Sequence, residues 1–307
     1  MKQKKILMHN TKTATAWAPN HITGFFYSKM DSDPMQSSSL GAGVNLMRGT
    51  TTQVEAHPSS QNKVSVFING ERSDAELTHW LVDKFFNEYV KNDYIIDIQH
   101  TIELPLSAGF GTSGSGALSL ALALRKIFNI EISDEKCFQL AHIADVENKG
   151  GLGTVMAEIA GGLEIRVAFG GPGIGKVETI PLEEDHKVIV LYFGPYQTKE
   201  ALSDKSLMDK VYTFGKTCVD TLLKDPSVER FLELSQWFMK KIEVATGQVS
   251  DIIKKMERNG FLCSMPLFGE SVFSIQTTKA AQELRNILQE YGKVYISDIS
   301  IGGPHVN

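Results

Sequence analysis

Cysteine is scarce: Cys137, Cys218 and Cys263 are the only three in 307 residues. An odd, scattered set without C-x-x-C spacing gives no disulfide framework and no zinc site, and points to a reducing cytoplasm. Positive charge is not in excess either. The 31 Lys and Arg stand against 36 Asp and Glu, for a net charge of −5. The chain as a whole therefore lacks the basic field with which a nucleic-acid protein neutralises phosphates, although a local basic patch stays open. Long apolar runs are missing. The longest, Gly116 to Leu124, is about half of the roughly 20 residues that a membrane-spanning helix needs, and it contains Ser119. The opening residues, MKQKKILMHNTKTATA, are basic, but polar residues break up any apolar stretch of roughly 7 to 15 residues, so no secretory signal is expected. Residues 1–12 read as a loose tail. What is present is an ordinary globular composition, 42% hydrophobic and 22% charged. At roughly 100 to 200 residues per domain, the length suggests about two domains.

Periodicity organises the chain. KVSVFIN at 63–69 alternates, placing Val64, Val66 and Ile68 on one face ahead of the Asn69-Gly70 turn. Ser73 and Glu76 have capping-box spacing, which predicts a helix opening there with Leu77, Trp80, Leu81 and Phe85 as its stripe and ending near Asn92. From Tyr94 to Leu104 apolar residues and His100 alternate with polar ones, as in a half-buried antiparallel strand. A glycine-rich turn, PLSAGFGTSGSG at 105–116, then leads into ALSLALALRKIF, which is apolar almost all round and reads as a buried helix. Ser133 is a suitable N-cap for the next helix, which Lys149-Gly150-Gly151 closes. The second half alternates strands (187–193, 271–276, 293–299) with helices (205–223, 226–245, 248–258, 279–291), a small two-layer α+β pattern. The domain boundary falls between 183 and 184. Met30 to Ser39 reads as a polar loop.

Gly109, Gly111 and Gly114 spell G-x-G-x-x-G. Alone this spacing also fits a glycine turn that merely packs a helix on a sheet. Its place between a strand and a helix, however, gathers free backbone N–H groups and the positive end of a helix dipole at one point, where an anion can sit. Thr112, Ser113 and Ser115 add hydroxyls for phosphate oxygens or a magnesium ion. A dinucleotide-binding turn fits less well: Pro105 to Ala108 intervene, the preceding strand alternates, and parallel βαβ order is not apparent. Gly170 to Lys176, GGPGIGK, has P-loop spacing, but Val177 stands where Ser or Thr must hold magnesium and Pro181 follows closely, so a hairpin loop is expected instead.

Pro105 to Ala117 in full resembles the phosphate loop of the GHMP small-molecule kinases. AWAPNHITGFF at 16–26, SLGAGVNL at 39–46, AHIADVENKGGLGTVMAEIAGGLEIR at 141–166 and the following GGPGIG are similar to the archaeal pantoate kinases, in the family's order. SMPLFGESVF at 264–273 stands where the family has its third, glycine-containing motif. The resemblance implies an α+β, two-domain GHMP-kinase-like fold: an N-terminal β/α nucleotide-binding domain, residues 1–183, and a C-terminal ferredoxin-like two-layer domain, residues 184–307, with the active site between them. It implies an ATP-dependent kinase, using Mg2+, that converts pantoate to 4-phosphopantoate on the way to coenzyme A, and a homodimer. Carried over by position, Pro105, Ser107, Ala108, Gly109, Gly111, Thr112, Ser113, Gly114, Ser115 and Gly116 would wrap the triphosphate. Ser113 and Asp145 would hold magnesium, with Glu147 as an alternative. His21, Thr23, Ser39, Gly41 and Asn45 fall on the acceptor side, His21 in a short polar loop. Arg48 and Arg166 are equal candidates for gripping the pantoate carboxylate.

Two positions depart from the family pattern. Pantoate kinases usually read G-G-L-G-D, and the aspartate is the superfamily's usual candidate base, whereas residues 150–154 here are Gly-Gly-Leu-Gly-Thr. Thr154 cannot accept a proton as a carboxylate does. Asn20 stands where a smaller residue is common. Because phosphoryl transfer depends chiefly on positioning and charge neutralisation, the loss need not abolish catalysis, and His21, Asp145 or water would take the proton. Pantothenate, which shares the pantoyl head, is the alternative acceptor. A nucleotide-binding relative that has lost catalysis is the alternative from another class, and a dehydrogenase is a distant third.

Overall fold

The computed structural model describes residues 11–182, 185–195 and 204–307. The boundary between 183 and 184 and most of the expected tail at 1–12 lie outside the described residues. The first half is built on β1 (Lys12–Lys29) and β2 (Ser38–Pro58), long antiparallel strands joined by the loop expected at Met30. Their alanines, glycines, serines and threonines give little hydrophobic alternation, which is why the sequence pattern passes over them. Beyond β2 come β3 (Lys63–Ile68), β4 (Glu71–Arg72), α1 (Glu76–Glu88), β5 (Tyr94–Ile102), α2 (Thr112–Phe128), α3 (Asp134–Glu147), α4 (Thr154–Ala160), β6 (Leu163–Ala168) and β7 (Lys176–Ile180). The second half holds β8 (His186–Gly194), α5 (Lys205–Leu222), α6 (Val228–Ile242), α7 (Gly247–Arg258), β9 (Glu270–Thr277), α8 (Thr278–Leu288), β10 (Lys293–Asp298) and β11 (His305–Val306).

The large sheet runs β11-β1-β2-β5-β3-β4, and the first part of β2 pairs instead with β6, which carries β7. One strand thus fans into two arms, and the middles of β1 and β2, at the bulges Ala18/Asn20 and Thr23/Phe25, lie at the fork. β5 is antiparallel to β2 but parallel to β3, with α1 as the crossover. Parallel βαβ order is therefore present, contrary to the sequence reading. The glycine turn lies outside that crossover, after β5, so the dinucleotide reading gains nothing from it. The Gly70 turn does form the β3–β4 hairpin. That hairpin claims Ser73, whose backbone N donates to Val66 O, so the expected capping box does not form: α1 starts behind Ala75, without a side-chain cap. It also ends earlier than expected, because Tyr89 leaves helical dihedrals and closes on Phe85 O. Ser133 caps α3 as predicted. GGPGIGK turns between antiparallel β6 and β7 and opens no helix.

Two apolar clusters flank the first sheet. α1, α2 and α3 cover Val54, Ile96 and Ile98 on one side. Ile22, Phe25, Val44 and Leu46 from the fork pack against Phe231, Phe238 and Phe273 of the second half in a single core. The second sheet, β10-β8-β9, divides its strands accordingly: Val188 and Val190 face that shared core, while Ile189 and Leu191 face α7 and α8. This shared cluster joins the two halves, and residues of both line the cleft.

Candidate active site

The cleft, about 590 Å3, is lined by Ser107 to Ser113, His21, Thr23, Lys149, Gly150, Thr154, Pro195 and Leu267. Gly111 opens α2 in the left-handed region, φ 66°, and no side chain caps the helix, so its first N–H groups face the cleft. Ser107 (φ 55°) and Gly109 (φ 79°) bend the loop into a cradle. Gly109 lets the loop touch Pro266, and Gly269 meets Ala108 O so closely that a Cβ would lie 2.1 Å away. The third motif therefore docks on the phosphate loop, and Leu267 N donates to Thr23 O at 3.1 Å. Of the proposed loop residues, Pro105 lies outside the cleft lining, Gly114 and Ser115 lie beneath the loop, and Gly116 faces a second hollow of about 260 Å3 beside Thr112 and Ser113. Asn20 explains itself here: its Oδ1 accepts from Ser115 Oγ (2.7 Å) and Thr50 Oγ1 (3.1 Å), tying the loop helix to the sheet.

Asp145 is not a solvated helix-end carboxylate. It is 1% exposed and accepts from Ser113 Oγ at 2.9 Å, and burial pushes its pKa up to about 6. Gly150 closes the pair, since a Cβ there would meet Asp145 Oδ1 and Ser113 Oγ. Two oxygens held against a space that only glycine leaves open suit a hard cation such as magnesium. The alternative ligand, Glu147, is exposed to solvent.

His21 lies within β1 rather than in a polar loop, and is buried. Nε2 donates to Glu164 Oε1 at 3.1 Å, and the same oxygen pairs with Arg166 Nη1 at 3.3 Å. Among the described residues Arg166 Nε and Nη2 have no partners although buried, and Arg166 lines a small recess with Ser39, Thr23, Gly153, Phe26, Leu267 and Phe268. Gly41 faces Arg166 across the β2–β6 pair, and a Cβ there would meet Nη2, so this glycine makes room for the guanidinium. Two acceptor-side candidates fall outside the recess. Asn45 donates to Ala157 O and Gly162 O, and Arg48 donates to Ile296 O; both join elements and border neither the cleft nor the recess. Of the two arginines, Arg166 borders the recess, whereas Arg48 is engaged with Ile296 O.

Glu158 and Glu164 were missed in the sequence because carboxylates in AEIAGGLEIR look like ordinary solvated charges. Glu158 is fully buried beneath Gly111 and Gly114, with neither oxygen partnered among the described residues, and burial plus the charge of Asp145 raise its pKa well above the usual carboxylate range. A raised folded pKa means that the unfolded chain ionises first as pH climbs past roughly 4.3, so stability drains away with rising pH. Glu158→Gln should therefore melt progressively higher than the parent from pH 4.5 to pH 8; a pH-independent difference would show that Glu158 is not held protonated.

A phosphate cradle on an uncapped helix, with an acid and a serine beside it, defines a class, and the comparisons agree: residues 77–162 match the GHMP kinases N terminal domain. The chain is 33% identical over 301 residues to the pantoate kinase of Thermococcus kodakarensis, covering 95% of this chain and 97% of that one. It is 30% identical to the pantoate kinase of Methanocaldococcus jannaschii, covering 89% and 96%. A solved phosphotransferase related to the CoA biosynthesis pathway superposes with a TM-score of 0.87 at 31% identity, covering 96% and 98%. Mevalonate diphosphate decarboxylase from Staphylococcus aureus, at 16% identity and a TM-score of 0.72, shares the fold. This chain belongs to the pantoate kinase family of the GHMP kinases. It is an ATP-dependent phosphotransferase acting on a hydroxyl group. Among the described residues no helix is long and apolar enough to cross a membrane.

Proposed function

We propose that the protein transfers the γ-phosphoryl group of ATP to the primary hydroxyl of pantoate, giving 4-phosphopantoate for coenzyme A synthesis in the cytoplasm. The observation that carries the reading is Arg166: a buried guanidinium with two free nitrogens at the end of the cleft, where the acceptor must lie. Glu164 engages Nη1 alone, and burying Nε and Nη2 without partners is costly, a cost that a carboxylate presented bidentately to that edge removes. Phe26, Leu267 and Phe268 line the recess together with Arg166, and its small, partly apolar lining favours the compact pantoate over pantothenate with its β-alanine arm.

The phosphate loop binds the triphosphate through backbone N–H groups of residues 107–113, and Thr112 and Ser113 add hydroxyls. The second hollow, beyond Thr112 and Gly116 and lined by Ile68, Leu77 and Ile102, suits the nucleoside end. Lys149 stands at the cleft as the flexible cation. Magnesium, held by Ser113 and Asp145, would supply charge neutralisation on the phosphoryl oxygens.

The test is ADP release with magnesium-ATP and, in parallel, pantoate, pantothenate, homoserine, mevalonate or no acceptor. Turnover with pantoate alone supports the reading, and preference for pantothenate moves the enzyme to a later step. Arg166→Lys, which keeps charge but loses the fork, should raise KM for pantoate roughly 10- to 100-fold with kcat little changed, the worth of a charge-assisted pair. An unchanged KM would remove Arg166 from the carboxylate site.

A further inference from the structure

A hydroxyl that attacks phosphorus must lose its proton, and Thr154 has no group to take it. One wall of the cleft does. His21 is anchored to the phosphate loop by its backbone N–H, which donates to Phe110 O at 3.1 Å, and both ring nitrogens are placed. Nε2 faces Glu164 Oε1 at 3.1 Å, and Nδ1 faces the Thr23 hydroxyl at 3.3 Å. His21 and Thr23 both line the cleft beside Gly111 and Thr154. A carboxylate can only accept from Nε2, so the ring carries its proton there and leaves the Nδ1 lone pair toward Thr23 and the cleft. Glu164 is itself held, fully buried, by Arg166 Nη1.

We propose that Glu164 is a positioning residue for the transfer: it fixes His21 as the Nε2–H tautomer, so that Nδ1 takes the proton of the acceptor hydroxyl. This rests on reading the cleft as a kinase site for a hydroxyl acceptor. In the step, the bond from the acceptor oxygen to phosphorus forms while the bond from phosphorus to the departing ADP oxygen breaks. The hydroxyl proton passes to Nδ1, directly or through Thr23, and the resulting imidazolium faces the Glu164 carboxylate until the proton returns to solvent with product release. The charged groups acting on the ring are Glu164 and Arg166 from β6; the titratable carboxyl of Glu158 reaches Gly111 from α4, held neutral by burial. Burial lowers the imidazole pKa more than Glu164 raises it, so the ring rests neutral and able to accept. The arrangement follows the logic by which a buried acid orients a histidine base.

The experiment compares the parent enzyme with Glu164→Gln, His21→Asn and the double variant, measuring kcat and KM for pantoate and ATP from pH 5 to pH 9. 15N shifts of the His21 ring are recorded on the resting enzyme. His21→Asn should lower kcat by ~10²-fold or more, the range of a lost general base, with KM for ATP unchanged. Glu164→Gln should lower kcat less and move the acid limb of its pH profile to lower pH, because the imidazolium has lost its carboxylate. The double variant should have a kcat no lower than His21→Asn alone, since Glu164 acts on the proton transfer through the ring, its pairing with Arg166 being read separately in KM for pantoate. Multiplying losses, an unmoved acid limb or an Nδ1–H tautomer in the parent enzyme would each overturn the assignment. Should Glu164→Gln fail to fold with Arg166 left unpaired, the parent tautomer and His21→Asn decide alone. A parent enzyme that binds ATP yet turns over no acceptor overturns the kinase reading itself, whereas an active parent with an Nδ1–H ring overturns only the role of Glu164.

Discussion

Asp145→Asn should lower kcat/KM by roughly 10³-fold, because it removes the charged oxygen beside Ser113 on which the proposed magnesium site depends. The substitution preserves shape and can still accept from Ser113 Oγ, so the fold should survive; a buried carboxyl replaced by an amide of equal size leaves no cavity. The pH dependence gives the sharper test. Burial raises the Asp145 pKa to about 6, so in the absence of metal the side chain is mostly protonated below that value. A cation requires the carboxylate, and protons compete with it. Apparent magnesium affinity of the parent should therefore fall by about tenfold per pH unit below pH 6 and level off above it, while the residual affinity of Asp145→Asn should be flat. The stability sign runs the same way as for Glu158: the unfolded chain ionises this aspartate at roughly 3.9, so folding loses stability as pH rises from about 4 to 6, and the variant regains it. A parent whose magnesium affinity does not change between pH 5 and pH 7 would remove Asp145 from the metal site.

How much of this was legible follows from what each residue type reveals in one dimension. The glycine turn and the helix after it were readable because backbone chemistry at a helix start is local, and the Ser133 cap held for the same reason. The second half was readable because its strands and helices keep their periods of two and 3.6. β1 and β2 were not: small and polar residues such as Ala14, Ala16, Thr50 and Thr52 are buried there through pairing and hydrogen bonds rather than through hydrophobic alternation. In the site, Asp145 could be placed only through the resemblance, and its burial against Ser113 is a tertiary fact. Glu158 and Glu164 show the limit most plainly. Nothing in their neighbours along the chain separates a carboxylate folded under the phosphate loop from one on a solvated face. The signal that would have found them is charge inside an otherwise apolar stretch: Glu158 between Ala157 and Ile159, Glu164 between Leu163 and Ile165. Arg48 and Arg166 are equivalent by charge in the sequence; their difference, one bonded to Ile296 O and the other bordering the recess, is a tertiary fact.

Gly111→Val should weaken ATP binding at least ~100-fold and remove turnover, and the cause lies on the inner side of the loop. A sequence argument would place the valine side chain in the path of the phosphate. The backbone directs it elsewhere: a Cβ on Gly111 would lie 2.7 Å from Glu158 Oε1, 2.8 Å from Thr154 Cγ2 and 3.2 Å from His21 Cβ. The residue also sits at φ 66°, where a side chain costs roughly 1–2 kcal/mol and a β-branched one more. Overpacking of a filled interior adds roughly 1–3 kcal/mol. The loop relieves both by moving outward, and the N–H groups at the start of α2 lose the geometry with which they hold phosphate. Calorimetry of ATP binding checks the loss, with the melting temperature as a measure of folding. The two causes separate in a second background. In Glu158→Ala the nearest obstacle is gone, so Gly111→Val should recover part of its ATP affinity there if the inward clash is responsible, and none if the valine blocks the phosphate itself.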